Sequence, residues 1–269
     1  MSSYNLKRLL QPKSIALFGG LWIENVANQI KNSNFKGNVW PINPHRKSIA
    51  GYKCFQDISD LPGVPDTAFI GVNRTKTLEI LTKLNEVGCG GATCFAAGFS
   101  EVDKYGKQLQ KKLSKASKDM PFLGPNCYGY INYLDHIHMW PDQHGGKEVE
   151  KGVAIIAQSS NIAINLTMNT RSTPIAYVLT TGNQAKIDMS DLGLAMINDK
   201  RVTAIGIYIE GFKDIKKFEK MAFSALRSNI PIVVLKSGKT DLSKKQSFSH
   251  TASITAVSYT HLRAHETSL

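Results

Sequence analysis

The feature that most constrains this chain is a repeated alternation. Short apolar, β-branched runs that end in glycine turns are each followed by a helix-length amphipathic stretch. SIALFGG (Ser14 to Gly20), NVWPINP (Asn38 to Pro44), DTAFIGV (Asp66 to Val72), GGATCFAAGF (Gly90 to Phe99) and PFLGPN (Pro121 to Asn126) read as five buried strands. Between them, apolar residues such as Leu78, Leu81, Leu84 and Val87 recur at the three-to-four spacing of one buried helix face. Strands that alternate with helices of this length predict βαβ units, hence a parallel sheet with helices on both faces. The segment Ile131 to Gly152 is polar and aromatic without steady period. It places an expected boundary near residue 145. The alternation then restarts with GVAIIAQ (Gly152 to Gln158), TPIAYVLTTG (Thr173 to Gly182), VTAIGIYIEG (Val202 to Gly211) and IPIVVLKSG (Ile230 to Gly238).

The expectation is therefore an α/β chain of two units. A Rossmann-like domain over 1–145 precedes a smaller flavodoxin-like parallel α/β domain over 146–255 that is incomplete. The last stretch, Ala256 to Leu269, has neither strand nor helix period and reads as a non-native tail. His261 and His265 within it are accordingly not read as metal ligands.

Composition narrows the classes further. With 42% hydrophobic and 20% charged residues in 269, the chain is too apolar for a disordered protein and long enough for a full core. No uninterrupted apolar run reaches the ~18–20 residues that span a bilayer. The N-terminus lacks the apolar core of a signal peptide, so no membrane association and a cytoplasmic location are expected. Cys54, Cys89, Cys94 and Cys127 form no C-x-x-C pair and read as reduced thiols. The net charge of +12 suits a polyanionic partner, although runs such as Lys104 to Lys118 are ordinary solvated helix faces.

Candidate chemistry lies at the carboxyl ends of the strands, where open parallel sheets bind ligands. The turn Phe18-Gly19-Gly20-Leu21-Trp22 could admit a pyrophosphate to the following helix N-terminus. However, the G-x-G-x-x-G fingerprint is absent. Asn43-Pro44 stands where an NAD site would carry an acidic residue, which disfavours an NAD-dependent oxidoreductase. Gly71-Val72-Asn73-Arg74, Ala96-Ala97-Gly98-Phe99 and Gly124-Pro125-Asn126-Cys127-Tyr128-Gly129 cluster in the same way, and Arg74 could meet a phosphate bidentately. In the second unit, Gln158-Ser159-Ser160-Asn161 offers hydroxyls and helix N-terminal amides. Simple capping by Ser160 or Asn161 explains the same residues. Glu210 and His250 could form a carboxylate–imidazole pair, but their sequence separation alone leaves that open.

Taken in order, SIALFGG, VWPINP, CFQDISDLP, AAGFSE, GPNCYG, IIAQSSN, TTGNQAKIDMSDL, IYIEGFKD, VVLKSGKT and SHTAS resemble the N-terminal part of the NDP-forming acyl-CoA synthetases. The resemblance extends to the alpha subunit of succinyl-CoA synthetase and covers about Leu6 to Ile254. It implies a CoA-binding first domain and a second domain bearing a phosphorylated histidine. Acyl-CoA, phosphate and ADP would interconvert with carboxylate, CoA and ATP through an acyl phosphate and a phosphohistidine. By the same resemblance His250 would be the phosphohistidine, Glu210 its orienting carboxylate, and Gln158, Ser159 and Ser160 the seat of the phosphoryl group. Gly19, Gly20, Asn43, Pro44, Val72, Asn73, Gly98, Phe99, Asn126 and Cys127 would lie along the CoA groove.

The implied cofactors are coenzyme A and, through an ATP-grasp subunit or domain outside this sequence, ATP/ADP with Mg. The implied assembly is an oligomer, with no nucleic acid as partner. The family's usual Gly-Ala-Ser turn is Gly19-Gly20-Leu21 here, its Ser-Gln-Ser-Gly is Ala157-Gln158-Ser159-Ser160, and Ala252 replaces the glycine that follows its histidine. A non-catalytic CoA- or acyl-CoA-binding regulatory module is the alternative of a different class.

Overall fold

The computed structural model describes residues 4–169 and 172–237. His250, the last three residues of VVLKSGKT, SHTAS, and the stretch from 256 to 269 with His261 and His265 lie outside the described residues.

The chain opens with a single helical turn, α1 (Lys7–Leu10), and then builds a first sheet. Its elements are β1 (Ser14–Gly19), α2 (Leu21–Asn32), β2 (Asn38–Ile42), the small hairpin β3 (Ser48–Ile49) with β4 (Tyr52–Lys53), β5 (Thr67–Gly71), α3 (Arg74–Glu86), β6 (Ala92–Cys94), α4 (Lys104–Ala116) and β7 (Phe122–Leu123). Five of these strands hydrogen-bond in the order β2-β1-β5-β6-β7, all parallel. Alternate residues of β1 face opposite ways, as a pleated strand requires. Ile15 and Leu17 meet Ile23, Val26 and Ile30 of α2, whereas Ala16 and Phe18 join Leu81 and Leu84 of α3 and Leu109 and Leu113 of α4. Helices thus cover both faces, as the alternation predicts.

The second sheet contains β8 (Tyr130–Asn132), β9 (Ile137–Met139), β10 (Gly152–Ala157), β11 (Ile175–Thr180), β12 (Val202–Ile209) and β13 (Ile232–Lys236) in the order β13-β12-β10-β11-β8-β9. Between them run α5 (Ser160–Thr167), α6 (Met189–Asn198) and α7 (Ile215–Arg227). The four later strands are parallel, while β8 and β9 form an antiparallel hairpin on the edge of β11. Sequence reasoning read this hairpin's segment as a break without period. The reason is burial: every residue of both strands is buried, so no inside–outside alternation marks them. The hairpin also packs on α2, and one apolar cluster runs from Ile15 and Phe69 through Tyr130 and Met139 to Leu179 and Leu192.

Two strands are shorter than the sequence suggests. β6 keeps only Ala92–Cys94 of the run from Gly90 to Phe99, and β7 only two residues. Beyond them the backbone leaves the ladder for a tertiary bond: the Asn126 amide donates to Ala96 O at 2.9 Å. No helix among the described residues is long and apolar enough to cross a membrane.

Candidate functional site at the junction of the two sheets

Each sheet has one point at which the strand order reverses, and open α/β sheets form a crevice there. In the first sheet it lies between β1 and β5, where Gly19 and Gly71 pair. Gly19 has φ +144°, and a Cβ on it would stand 2.7 Å from Gly71 O, so only glycine closes this turn without a shift. In the second sheet the reversal falls between β10 and β12. Gln158 follows β10 and Glu210 follows β12, and both are buried. Gln158 Oε1 accepts from the Glu210 amide at 2.9 Å and from the Gly211 amide at 3.0 Å. The residues read from sequence as a phosphoryl seat and an orienting carboxylate are therefore locked together.

Helix capping separates these two crevices from the other strand ends. Asn73, Asp103, Asp188 and Asp214 cap α3, α4, α6 and α7 with side-chain oxygens. The helices that leave β1 and β10, α2 and α5, carry no side-chain cap. Their first-turn amides have no side-chain oxygen competing with an incoming anion. The cap position of α5 is Ser159, and Ser160 is its first helical residue, so capping by Ser160 or Asn161 is not what the structure shows. Ser160 Oγ instead accepts from the Tyr128 amide at 3.0 Å, which binds α5 to the loop after β7.

The two sheets meet through the turn after β11. At the end of β11, Thr180 Oγ1 extends the pairing with β8, accepting from the Gly129 amide at 3.0 Å and donating to Gly129 O at 2.7 Å. The amides of Asn183 and Ala185 donate to Pro125 O and Gly124 O. Glu101 completes the clamp. Its Oε1 accepts from the Gly98 and Phe99 amides at 2.6 and 3.2 Å, and its Oε2 accepts from Asn183 Nδ2 at 2.5 Å. Between the sheets this leaves a cavity of about 280 Å3 lined by Phe95, Ala97, Asn126, Cys127, Tyr128, Gln158, Ser160 and Asn161.

The sequence-predicted residues divide accordingly. Asn126 and Cys127 line the cavity with Gln158 and Ser160, and Glu210 is one hydrogen bond behind Gln158. Gly19 and Gly20 form the uncapped turn before α2. Asn43 serves that turn, since its Nδ2 donates to Gly19 O at 2.7 Å and its Oδ1 accepts from the His45 amide. Pro44 beside it is exposed and Val72 half-buried. Asn73 caps α3, and Phe99 is fully buried, so its side chain supports the loop from behind. Arg74 does not reach out as a phosphate fork: its Nη1 donates to Gly98 O at 2.5 Å, and its guanidinium lies over the Tyr105 ring.

Burial pushes the Cys127 thiol up to about 12, which keeps it neutral near pH 7. It is a wall of the cavity and not a nucleophile. No group of three or more metal-ligating side chains occurs among the described residues.

Sequence reasoning missed Phe95, Glu101, Asn183 and Lys236, and gave Tyr128 no role beyond its place in a strand-end turn. Lys236 Nζ donates to the Glu210 carbonyl oxygen at 2.9 Å, and burial lowers its pKa. The roles of Glu101 and Asn183 rest on a contact between residues 82 apart, which no local pattern announces.

Comparison with known proteins fits this division into two sheets. A CoA binding domain matches residues 13–133, and a succinyl-CoA ligase like flavodoxin domain matches residues 150–265. Along most of its length the chain is similar to ADP-forming acyl-CoA synthetases. The ADP-forming acetate–CoA ligase of Methanocaldococcus jannaschii is 34% identical over 93% of this chain and 36% of its own length. The alpha subunit of ADP-forming acetate–CoA ligase II from Pyrococcus furiosus is 28% identical over 93% of this chain and 55% of its own. Among solved structures, a dinucleotide forming acetyl-coenzyme A synthetase 1 from Candidatus Korarchaeum cryptofilum, in complex with phosphate and ADP, superposes with a TM-score of 0.85. It is 30% identical over 97% of this chain and 57% of that one. The chain thus spans roughly a third to somewhat over half of the relatives it matches.

Proposed function

We propose that this chain is the CoA-binding and phosphoryl-carrying part of an ADP-forming acyl-CoA synthetase. The observation that carries the reading is the pair of uncapped helices at the two sheet reversals, α2 and α5, each inside a family-matched domain. Coenzyme A brings a pyrophosphate and a 3′-phosphate, a polyanion suited to a helix N-terminus and to part of the +12 charge. Its groove runs from Gly19 and Gly20, held by Asn43, past Val72, Asn73 and Gly98 to Asn126 and Cys127, where the thiol reaches the cavity between the sheets.

There a phosphate oxygen attacks the thioester carbonyl carbon, the C–S bond breaks, and CoA leaves as thiolate to take a proton. The acyl phosphate then gives its phosphoryl group to a His250 nitrogen, and the carboxylate departs. Gln158, Ser159 and Ser160 at the start of α5 hold the phosphoryl group during this exchange, and Glu210 orients the imidazole. An ATP-grasp domain or subunit, with Mg, passes the group on to ADP. The alpha-subunit name of one relative supports such a partner. We assign residues 1–145 to the CoA unit, its final hairpin β8–β9 paired onto the second sheet, and 146–255 to the phosphohistidine unit, with 256–269 as non-native sequence. A cytoplasmic oligomer completes the reading.

Calorimetric titration with CoA tests the first half. One-site binding is expected, weakened at least about tenfold by Gly19→Val, whose side chain would fill the approach to α2. Absence of CoA binding to the native chain would overturn the assignment.

A further inference from the structure

A larger cleft, of about 900 Å3, lies away from the transfer cavity. Its walls are the segment around α1, the last turns of α6 with the residues up to Lys200, and one face of α7. The first two walls lead into the amino ends of β1 and β12, whereas the groove and cavity described above lie at carboxyl ends. The two regions are therefore different places on the molecule. The floor of the cleft is apolar, since Leu6, Leu10 and Met196 line it and each is at most 5% exposed.

The rim is cationic. Lys7 on α1, Lys200 after α6, and Lys220 and Arg227 on α7 line it, and all four are exposed. Lys217, Lys220, Ser224 and Arg227 recur every three or four residues and so share one face of α7. The charges beside these four are already neutralised. Lys217 holds Asp188 and Asp191 at 3.0 and 2.5 Å. Asp199, the one carboxylate of the lining, takes Arg201 at 2.9 Å and the Tyr177 hydroxyl at 2.8 Å. Lys7, Lys200, Lys220 and Arg227 have no ion pair among the described residues. Like charges gathered round one cleft repel, and a multivalent anion seated among them removes that repulsion.

We propose that this cleft binds a metal-free nucleoside triphosphate, its phosphates among Lys7, Lys200, Lys220 and Arg227 and its base over the apolar floor. A triphosphate carries about four negative charges near pH 8, which matches the four unpaired cations. An inorganic anion would leave the floor unused, and an apolar monocarboxylate would leave most of the rim unused. The volume lies within the ~300–1,000 Å3 usual for small-molecule sites. The cleft is built wholly from this chain, so it is separate from any nucleotide held by an ATP-grasp partner. The inference does not depend on the CoA reading, because none of its residues lies along the CoA groove.

Calorimetry of the full chain at low salt, saturated with CoA and with EDTA present, tests this. ATP is expected to bind at one further site. Lys220→Gln combined with Arg227→Gln should weaken it at least about tenfold while CoA binds as to the native chain. Tripolyphosphate, which offers the charge without the base, should bind about tenfold more weakly than ATP. No binding of ATP, or binding untouched by the two substitutions, overturns the site. A parallel loss of CoA affinity overturns it too, because cleft and groove would then be one. Tripolyphosphate that binds as tightly as ATP overturns the nucleoside assignment. If the chain binds no CoA, the ATP titrations are read without it, so failure of the CoA reading leaves this test standing.

Discussion

Gly182 sits in the turn after β11 at φ +50°, where a Cβ would collide with the carbonyl oxygens of Pro125 and Asn126. Gly182→Ala is expected to cost about 2–3 kcal/mol, through both the left-handed backbone and the forced separation of the two turns. A lowered melting temperature together with weaker CoA binding would show it. His138 on β9 is 5% exposed, and burial pushes its imidazole down to about 3, helped by His144 and His136. In the unfolded chain it titrates near 6.5, so below that pH the unfolded state gains a proton that the folded state refuses. Stability should fall by about 1.4 kcal/mol per pH unit from roughly pH 6 toward 3. Urea melts at pH 7 and pH 5 check this, and His138→Phe should flatten the dependence. At this scale the sequence made the glycine turns visible. It could not show that Asn43 and Asn73 spend their side chains on neighbouring backbone.

The strand–helix alternation was legible because parallel strands are apolar throughout and their helices keep a 3.6-residue stripe. The β8–β9 hairpin was not legible. Its three-residue strands carry Asn132 and His138 in buried positions, and Asn132 holds the turn between them, accepting from the Leu134 and Asp135 amides and donating to Asp135 Oδ2, while it also donates to Leu10 O. Polar residues at such sites imitate a loop. The capping of α6 shows the same dependence on partners. Asp188 caps its first turn and forms a capping box with Asp191, and Lys217 from α7 neutralises both carboxylates at 3.0 and 2.5 Å. Asp191 is fully buried, so Lys217→Met would leave a buried charge without its cation. The expected loss is about 3 kcal/mol in chemical denaturation. The clamp across the sheets makes a functional counterpart. Glu101→Ala removes the side-chain acceptor of the Gly98 and Phe99 amides and one of two acceptors of Asn183 Nδ2, the other being Gln110. It should weaken CoA binding about tenfold with a smaller effect on melting temperature, read by calorimetry beside thermal denaturation.

At the scale of the whole molecule, the two sheets turn their carboxyl ends toward one cavity, and an uncapped helix starts at the reversal point of each. That arrangement gives a reason for two otherwise separate α/β units to share a chain. On the proposed reading, one would present a thioester and the other would receive a phosphoryl group, with Asn183 and Glu101 joining the turns of the two sheets. The order of motifs announced two units, yet their mutual placement depends on contacts between residues far apart in sequence, which no periodicity encodes. The central claim is that phosphate entering this cavity ends on His250. Incubation of the chain with acyl-CoA and radiolabelled phosphate measures it directly. The account predicts an acid-labile, base-stable label that maps to His250 and vanishes in His250→Ala; a label that persists in that variant, or none at all in a chain shown to bind CoA, would contradict it.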